Sequence, residues 1–111
     1  MLEINRLLQL FGLARRAGRV ARGFDAADAA MHDGTAAAVF LAADVSERTA
    51  RNVRRIADET GHSVFPIPAA MAELGHAIGS KPTGVLVLTD RGFAESAKKL
   101  LPPPPCGQSD N

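Results

Sequence analysis

The sequence predicts an α/β domain, a mixed or parallel sheet held between helical layers. Two continuous apolar runs, "AVFLA" (38–42) and "GVLVL" (84–88), are too short for helices and read as strands buried on both faces. The stretches around them place apolar residues at helical spacing. Glycines at 18, 34 and 61 close those stretches. No internal repeat or linker divides the chain, so its 111 residues read as one domain over 1–101 with a tail at 102–111.

Each element has its own justification. Ile4, Leu7, Leu8 and Phe11 stand at i, i+3, i+4 and i+7, which predicts an amphipathic helix over about 3–17. A short extended piece, Arg19 to Arg22, leads to a second helix over 24–33 with Phe24, Ala27 and Met31 on one face. After the strand at 38–42, Asp44 and Ser46 offer N-caps to a third helix. Its inner face carries Thr49, Val53, Ile56 and Ala57. "SVFPI" (63–67) reads as a strand whose Pro66 lacks a ladder donor, which predicts an edge or a strand exit. "AAMAELGHAIG" (69–79) reads as a fourth helix with Met71, Leu74 and Ile78 inward. Beyond "GVLVL", Thr89 and Asp90 cap a final helix that fades near Leu101. "PPPPCGQSDN" (102–111) cannot continue a helix and predicts a flexible proline-rich tail.

Composition narrows the function class. Hydrophobic residues make up 46% and charged residues 23%, as in an ordinary soluble domain. No apolar run approaches the ~18 residues of a membrane span, and the N-terminus lacks a basic head before an apolar stretch. The single Cys106 cannot form an internal disulfide. A cytoplasmic protein with no membrane contact is expected. The net charge of +1 is unevenly spread: residues 1–55 carry nine basic and six acidic side chains, the remainder four and six. The polarity is mild, and charge alone leaves the partner open.

Signatures of catalysis are absent. "GSKPTG" (79–84) lacks the Gly-x-x-x-x-Gly-Lys-Ser/Thr order, and its Pro82 removes an N–H from any phosphate cradle. His32, His62 and His76 have no metal-ligand spacing, so no metal is expected. Cys106 has no basic activator, and no serine sits in a nucleophile elbow. The chain reads as non-enzymatic, with no cofactor and no small-molecule substrate.

Three features could bind an anion. Arg15, Arg16, Arg19 and Arg22 precede a helix start at Gly23; arginine forks phosphate oxygens, and a helix start presents free N–H groups. Ordinary capping on a solvated helix end accounts for the same residues. Arg48, Arg51, Arg54 and Arg55 lie on the third helix, where Glu47 and Glu59 offer i, i+4 partners to Arg51 and Arg55. "IGSKPTG" (78–84) is a helix-to-strand loop with one cation and a rigid proline, and gains meaning only if it lies beside Gly23.

The order "AGRVARG", helix, "DG", "AVFLAADVS" and later "ELGHAIGSKPTGVLVLTD" resembles the kink-turn RNA-binding ribosomal protein family of the L-seven-Ae and L-thirty-e type. "LFGLARRAG" and "ELGHAIG" are similar to its short bacterial branch, and the likeness runs from about Leu8 to Phe93. The resemblance implies a three-layer α-β-α sandwich with a four-stranded mixed sheet. It also implies an RNA site made of two adjoining loops. The family's basic-x-x-basic-Gly pattern falls on Arg19, Arg22 and Gly23, followed by Phe24 and Asp25. Its Ser-basic-Pro turn falls on Ser80, Lys81 and Pro82. The third helix is then left as a solvated face.

One departure stands out. Where the kink-turn readers follow the glycine with x-Asn-Glu-x-x-Lys, this chain has Asp25, Ala26 and Ala29. Aspartate accepts but does not donate, and it repels phosphate. Losing the lysine removes a phosphate contact. The expectation is a monomeric protein that docks on structured RNA, kink-turn-like or ribosomal, with altered or weakened kink-turn specificity. The alternatives are a protein-interaction domain that has lost RNA binding, and the recognition module of a larger RNA-modifying enzyme.

Overall fold

The structure, a computed structural model, describes residues 2–101; the tail expected at 102–111, with Cys106, lies outside the described residues. The elements run α1 (Leu2–Arg16), β1 (Val20–Arg22), α2 (Phe24–Asp33), β2 (Ala38–Leu41), α3 (Glu47–Thr60), β3 (Val64–Pro66), α4 (Met71–Ala77), β4 (Val85–Leu88) and α5 (Arg91–Leu100). The order is the one expected from the sequence.

The starts and stops have local causes. Ser46 accepts the Thr49 N–H at 3.1 Å and Asp90 accepts the Phe93 N–H at 2.9 Å, each satisfying a helix-start donor. Of the two pairs of residues offered as caps, Asp44 does something else. Its Oδ1 accepts the Met71 N–H at 2.7 Å and so ties the β2–α3 loop to the start of α4. The α4 helix is shorter than the 69–79 expected, because the chain folds back after Ala77. Gly79 takes a φ of +67° and the Ser80 N–H returns to the Gly75 carbonyl at 2.8 Å. Ile78 stays buried although it stands outside the helix.

The sheet order is β1-β4-β2-β3, with β4 antiparallel to both neighbours and β2 parallel to β3. It is therefore mixed and four-stranded. The central strands β2 and β4 are buried at every residue, which is why they read as unbroken apolar runs. β3 lies at the edge, where the missing donor of Pro66 costs no central ladder bond. β1 is the opposite edge.

Side-chain alternation distributes the core to two faces. Ala38, Phe40, Leu86 and Leu88 meet Leu7, Phe11 and Ala14 of α1, Leu74 of α4, and Ala94 and Ala97 of α5. Val39, Leu41, Val85 and Val87 meet Ala27, Ala30 and Met31 of α2 with Val53, Ile56 and Ala57 of α3. The fold is thus a three-layer α-β-α sandwich. Phe11 and Phe40 meet as a tilted pair with centroids 5.1 Å apart, and full burial of each such side chain contributes about 1.5–3 kcal/mol. No helix of the described residues is long and apolar enough to cross a membrane.

Candidate nucleic-acid interface

Sheet register brings two distant loops together. Because β1 and β4 are antiparallel, Arg22 stands opposite Leu86, and the Gly23 N–H donates to the Val85 carbonyl at 2.9 Å. The start of α2 is thereby fixed against the entry to β4, whose preceding loop is Gly79–Gly84. Gly23 has φ +94° and ψ 162°, a backbone region that essentially only glycine occupies. No side chain caps α2, so the N–H groups of its first turn have neither an intrahelical partner nor a side-chain one. They carry the positive end of the helix dipole.

The facing loop is held down by close packing. A Cβ placed on Gly75 would fall on the carbonyl oxygen of Lys81, 2.6 Å from its carbon and 2.9 Å from Pro82 Cα. Glycine at 75 therefore lets the Lys81–Pro82 backbone lie directly on α4. Thr83, buried, anchors the far side: its N–H donates to the Met71 carbonyl at 3.0 Å and its hydroxyl to the Lys81 carbonyl at 2.8 Å. With their backbone pinned, Lys81 and Pro82 stay exposed and Ser80 half-exposed.

A third segment completes this end of the sheet. Leu41 stands opposite Val85, the Ala42 N–H donates to the Gly84 carbonyl at 2.9 Å, and Val45 packs over Gly84. The β2–α3 loop, and with it the first turn of α3, thus flanks the other two.

The expected site residues divide. Arg22, Gly23, Asp25, Lys81 and Pro82 gather here, with Ser80 beside them. Phe24 is half-buried against the core under α2, which makes it an anchor for the helix start. Arg19 lies elsewhere: its carbonyl accepts the Thr89 N–H at 2.9 Å, at the opposite end of β1. Four extended steps along the chain separate it from Gly23, roughly 13 Å. Among the described residues, Arg19, Arg22 and Lys81 make no ion pair.

The acids of α2 behave differently from one another. Asp25 is exposed in the first turn, where its charge faces whatever approaches. Asp28 turns to His32, whose Nδ1 lies 3.0 Å from the Asp28 carbonyl and 2.8 Å from its Oδ1. One Nδ1–H directed to the carbonyl leaves Oδ1 an ionic contact without a hydrogen bond. The hydrogen bond to the Asp28 carbonyl is the largest influence and raises the His32 pKa above its ordinary 6.5; desolvation, next in size, opposes it, and the Asp28 charge adds to the rise.

Residues 5–98 match the family described as Ribosomal protein L7Ae/L30e/S12e/Gadd45. The chain belongs to that family. Two bacterial relatives extend over nearly the same length. The RNA-binding protein YlxQ of Enterococcus faecium is 35% identical over 85% of this chain and 89% of its own. The RNA-binding protein YlxQ of Bacillus subtilis (strain 168) is 33% identical over 83% and 91%. Among solved structures, a Bacillus halodurans protein of unknown function superposes with a TM-score of 0.78 at 26% identity, covering 85% of this chain and 94% of that one. The Giardia lamblia 15.5kD RNA binding protein gives 0.70 at 22% identity, covering 90% and 88%, and shares the fold.

The close packing at Gly75 and Val45 was not legible in the sequence, and Asp44, expected as a cap for α3, instead holds the start of α4. A glycine inside a helix reads the same whether it thins a packing contact or merely tolerates one. The partner of Asp44 lies 27 residues away, beyond any local signal.

Proposed function

We propose that this protein is a non-catalytic, monomeric, cytoplasmic RNA-binding protein that docks on structured RNA through the α2 start and the Gly79–Gly84 loop. The observation that carries the reading is the Gly23 N–H to Val85 carbonyl bond. It joins an uncapped helix start and Arg22 to the pinned Ser80–Lys81–Pro82 turn on one exposed surface. The name carried by the Enterococcus and Bacillus relatives supports the same partner.

In this reading Arg22 and Lys81 contact phosphates, the first-turn N–H groups of α2 donate to an RNA oxygen, and Gly23 and Pro82 let the RNA approach the main chain. Arg19, at the far end of β1, contributes general attraction and not a contact inside the loop pair. Kink-turn selectivity is weakened. Asp25 and Ala29 stand where a donor and a cation would meet the RNA, and Asp25 faces it with an exposed negative charge.

Two double variants test this reading. Arg22→Gln with Lys81→Gln removes two phosphate contacts, and the salt dependence of RNA binding, log K against log [salt], then becomes shallower by about 2. Asp25→Asn with Ala29→Lys has the opposite effect, raising kink-turn affinity and steepening that slope by about 1. Unchanged binding in both variants contradicts the two-loop site.

A further inference from the structure

We infer that the bound RNA continues past the two loops onto α3, where Arg48, Arg51 and Arg55 form a second, phosphate-contacting track. The inference rests on the two-loop reading and extends its footprint.

Three observations carry it. The first is position. Leu41 opposite Val85, Ala42 bonded to Gly84 and Val45 over Gly84 bring the start of α3 to the same end of the sheet as Gly23 and Lys81. An RNA stem leaving that end has the outer face of α3 beside it. The second is orientation. Val53, Ile56 and Ala57 face the sheet. At 100° per residue, Arg48, Arg51 and Arg55 therefore lie on the side of α3 turned away from it, all three exposed. They span about 10 Å along the axis.

The third is the direction of the charges. Helices are stabilised by acids in the first turn and bases in the last. Here Arg48 stands in the first turn beside Glu47, while Asp58 and Glu59 stand near the end and the last turn has no basic residue. Arg48 and Arg51, on the N-terminal half, reinforce the positive end of the dipole instead of offsetting it, and Arg55 continues the same face one turn further on. Helix stability does not account for that arrangement, whereas a polyanion at this end of the sheet does. The arginines are also free to change partner. Arg51 meets Glu47 at 3.9 Å and Arg55 meets Glu59 at 4.0 Å, all four side chains well exposed. Arg48 has no ion pair among the described residues. Swapping a loose surface carboxylate for phosphate oxygens, which the planar guanidinium forks in pairs, loses little.

The test uses the full chain and two RNAs: a kink-turn with both flanking stems long, and the same kink-turn with the stems trimmed to the few pairs that the loops can reach. Arg48→Gln, Arg51→Gln and Arg55→Gln are combined in one variant, and Arg22→Gln with Lys81→Gln serves as the second. The triple variant is expected to bind the long RNA at least about tenfold more weakly, with a salt slope shallower by about 3, and to bind the trimmed RNA like the parent. Arg48→Gln alone keeps or raises the melting temperature while lowering affinity for the long RNA, a divergence that a purely structural role does not produce. Equal binding of the long RNA by parent and triple variant overturns the track and leaves the loops standing. An equal loss on both RNAs also overturns it, because the arginines then act without a stem. If only the triple variant loses affinity and the Arg22/Lys81 variant does not, the two-loop reading fails and the claim of a continuous footprint falls with it.

Discussion

Replacing Gly75 with alanine tests how the Ser80–Lys81–Pro82 turn is held. Inside a helix this exchange ordinarily stabilises, by about 1 kcal/mol, through backbone propensity. Here the added methyl meets main chain on the Lys81 side, 2.9 Å from Pro82 Cα and nearer still to the Lys81 carbonyl group. Backbone cannot rotate away as a side chain can. The turn must lift, straining the Ser80 N–H bond to Gly75 at 2.8 Å and the Thr83 N–H bond to Met71 at 3.0 Å. Overpacking of this kind costs about 1–3 kcal/mol, and each weakened hydrogen bond adds about 1. Against the propensity gain, the net expectation is a loss of about 2–4 kcal/mol. Near 4 °C per kcal/mol, the melting temperature falls by roughly 8–16 °C. Urea and thermal unfolding followed by circular dichroism measure it. RNA affinity of the variant, taken well below its melting point, falls as well because Lys81 is displaced. A neutral or stabilising Gly75→Ala refutes the claim that the turn lies on α4 by backbone contact.

Two further outcomes are expected. Gly23→Ala meets open space yet forces a residue with a Cβ into φ +94°, at a cost of about 1–3 kcal/mol; unaltered stability in urea contradicts the geometry given for the start of α2. His32 should titrate above 6.5 by NMR because the Asp28 carbonyl and charge favour its protonated form. The stability it contributes is complete below the unfolded pKa and is lost as pH rises through the raised folded one. Asp28→Asn, which keeps the backbone carbonyl, brings that pKa partway down, and an unmoved value removes the Asp28 carboxylate from the account.

The sequence was most legible where a chemical requirement is local. "AVFLA" and "GVLVL" read as buried strands because helices cover both of their faces, leaving no polar positions. Pro66 announced an edge strand because it has no donor to give. Ser46 and Asp90 announced helix starts through side chains three residues from their partners. The mixed four-stranded sheet and the meeting of two loops came from resemblance, since strand order is set by contacts that no local pattern encodes. Arg19 illustrates the limit. In sequence it belongs to one motif with Arg22 and Gly23, but an extended strand carries it to the other end of the sheet. Asp44 looked like a cap for α3 and instead holds α4.

The central claim is that an RNA site exists at the α2 start and the Gly79–Gly84 loop, with its kink-turn selectivity reduced. The most direct test titrates a kink-turn RNA and a plain duplex of equal length against the protein at two salt concentrations. The account predicts binding to both that weakens with salt, with a modest preference for the kink-turn that Arg22→Gln with Lys81→Gln abolishes. No binding to either RNA contradicts it and points to a protein partner, while binding indifferent to Arg22 and Lys81 places the RNA elsewhere on the surface.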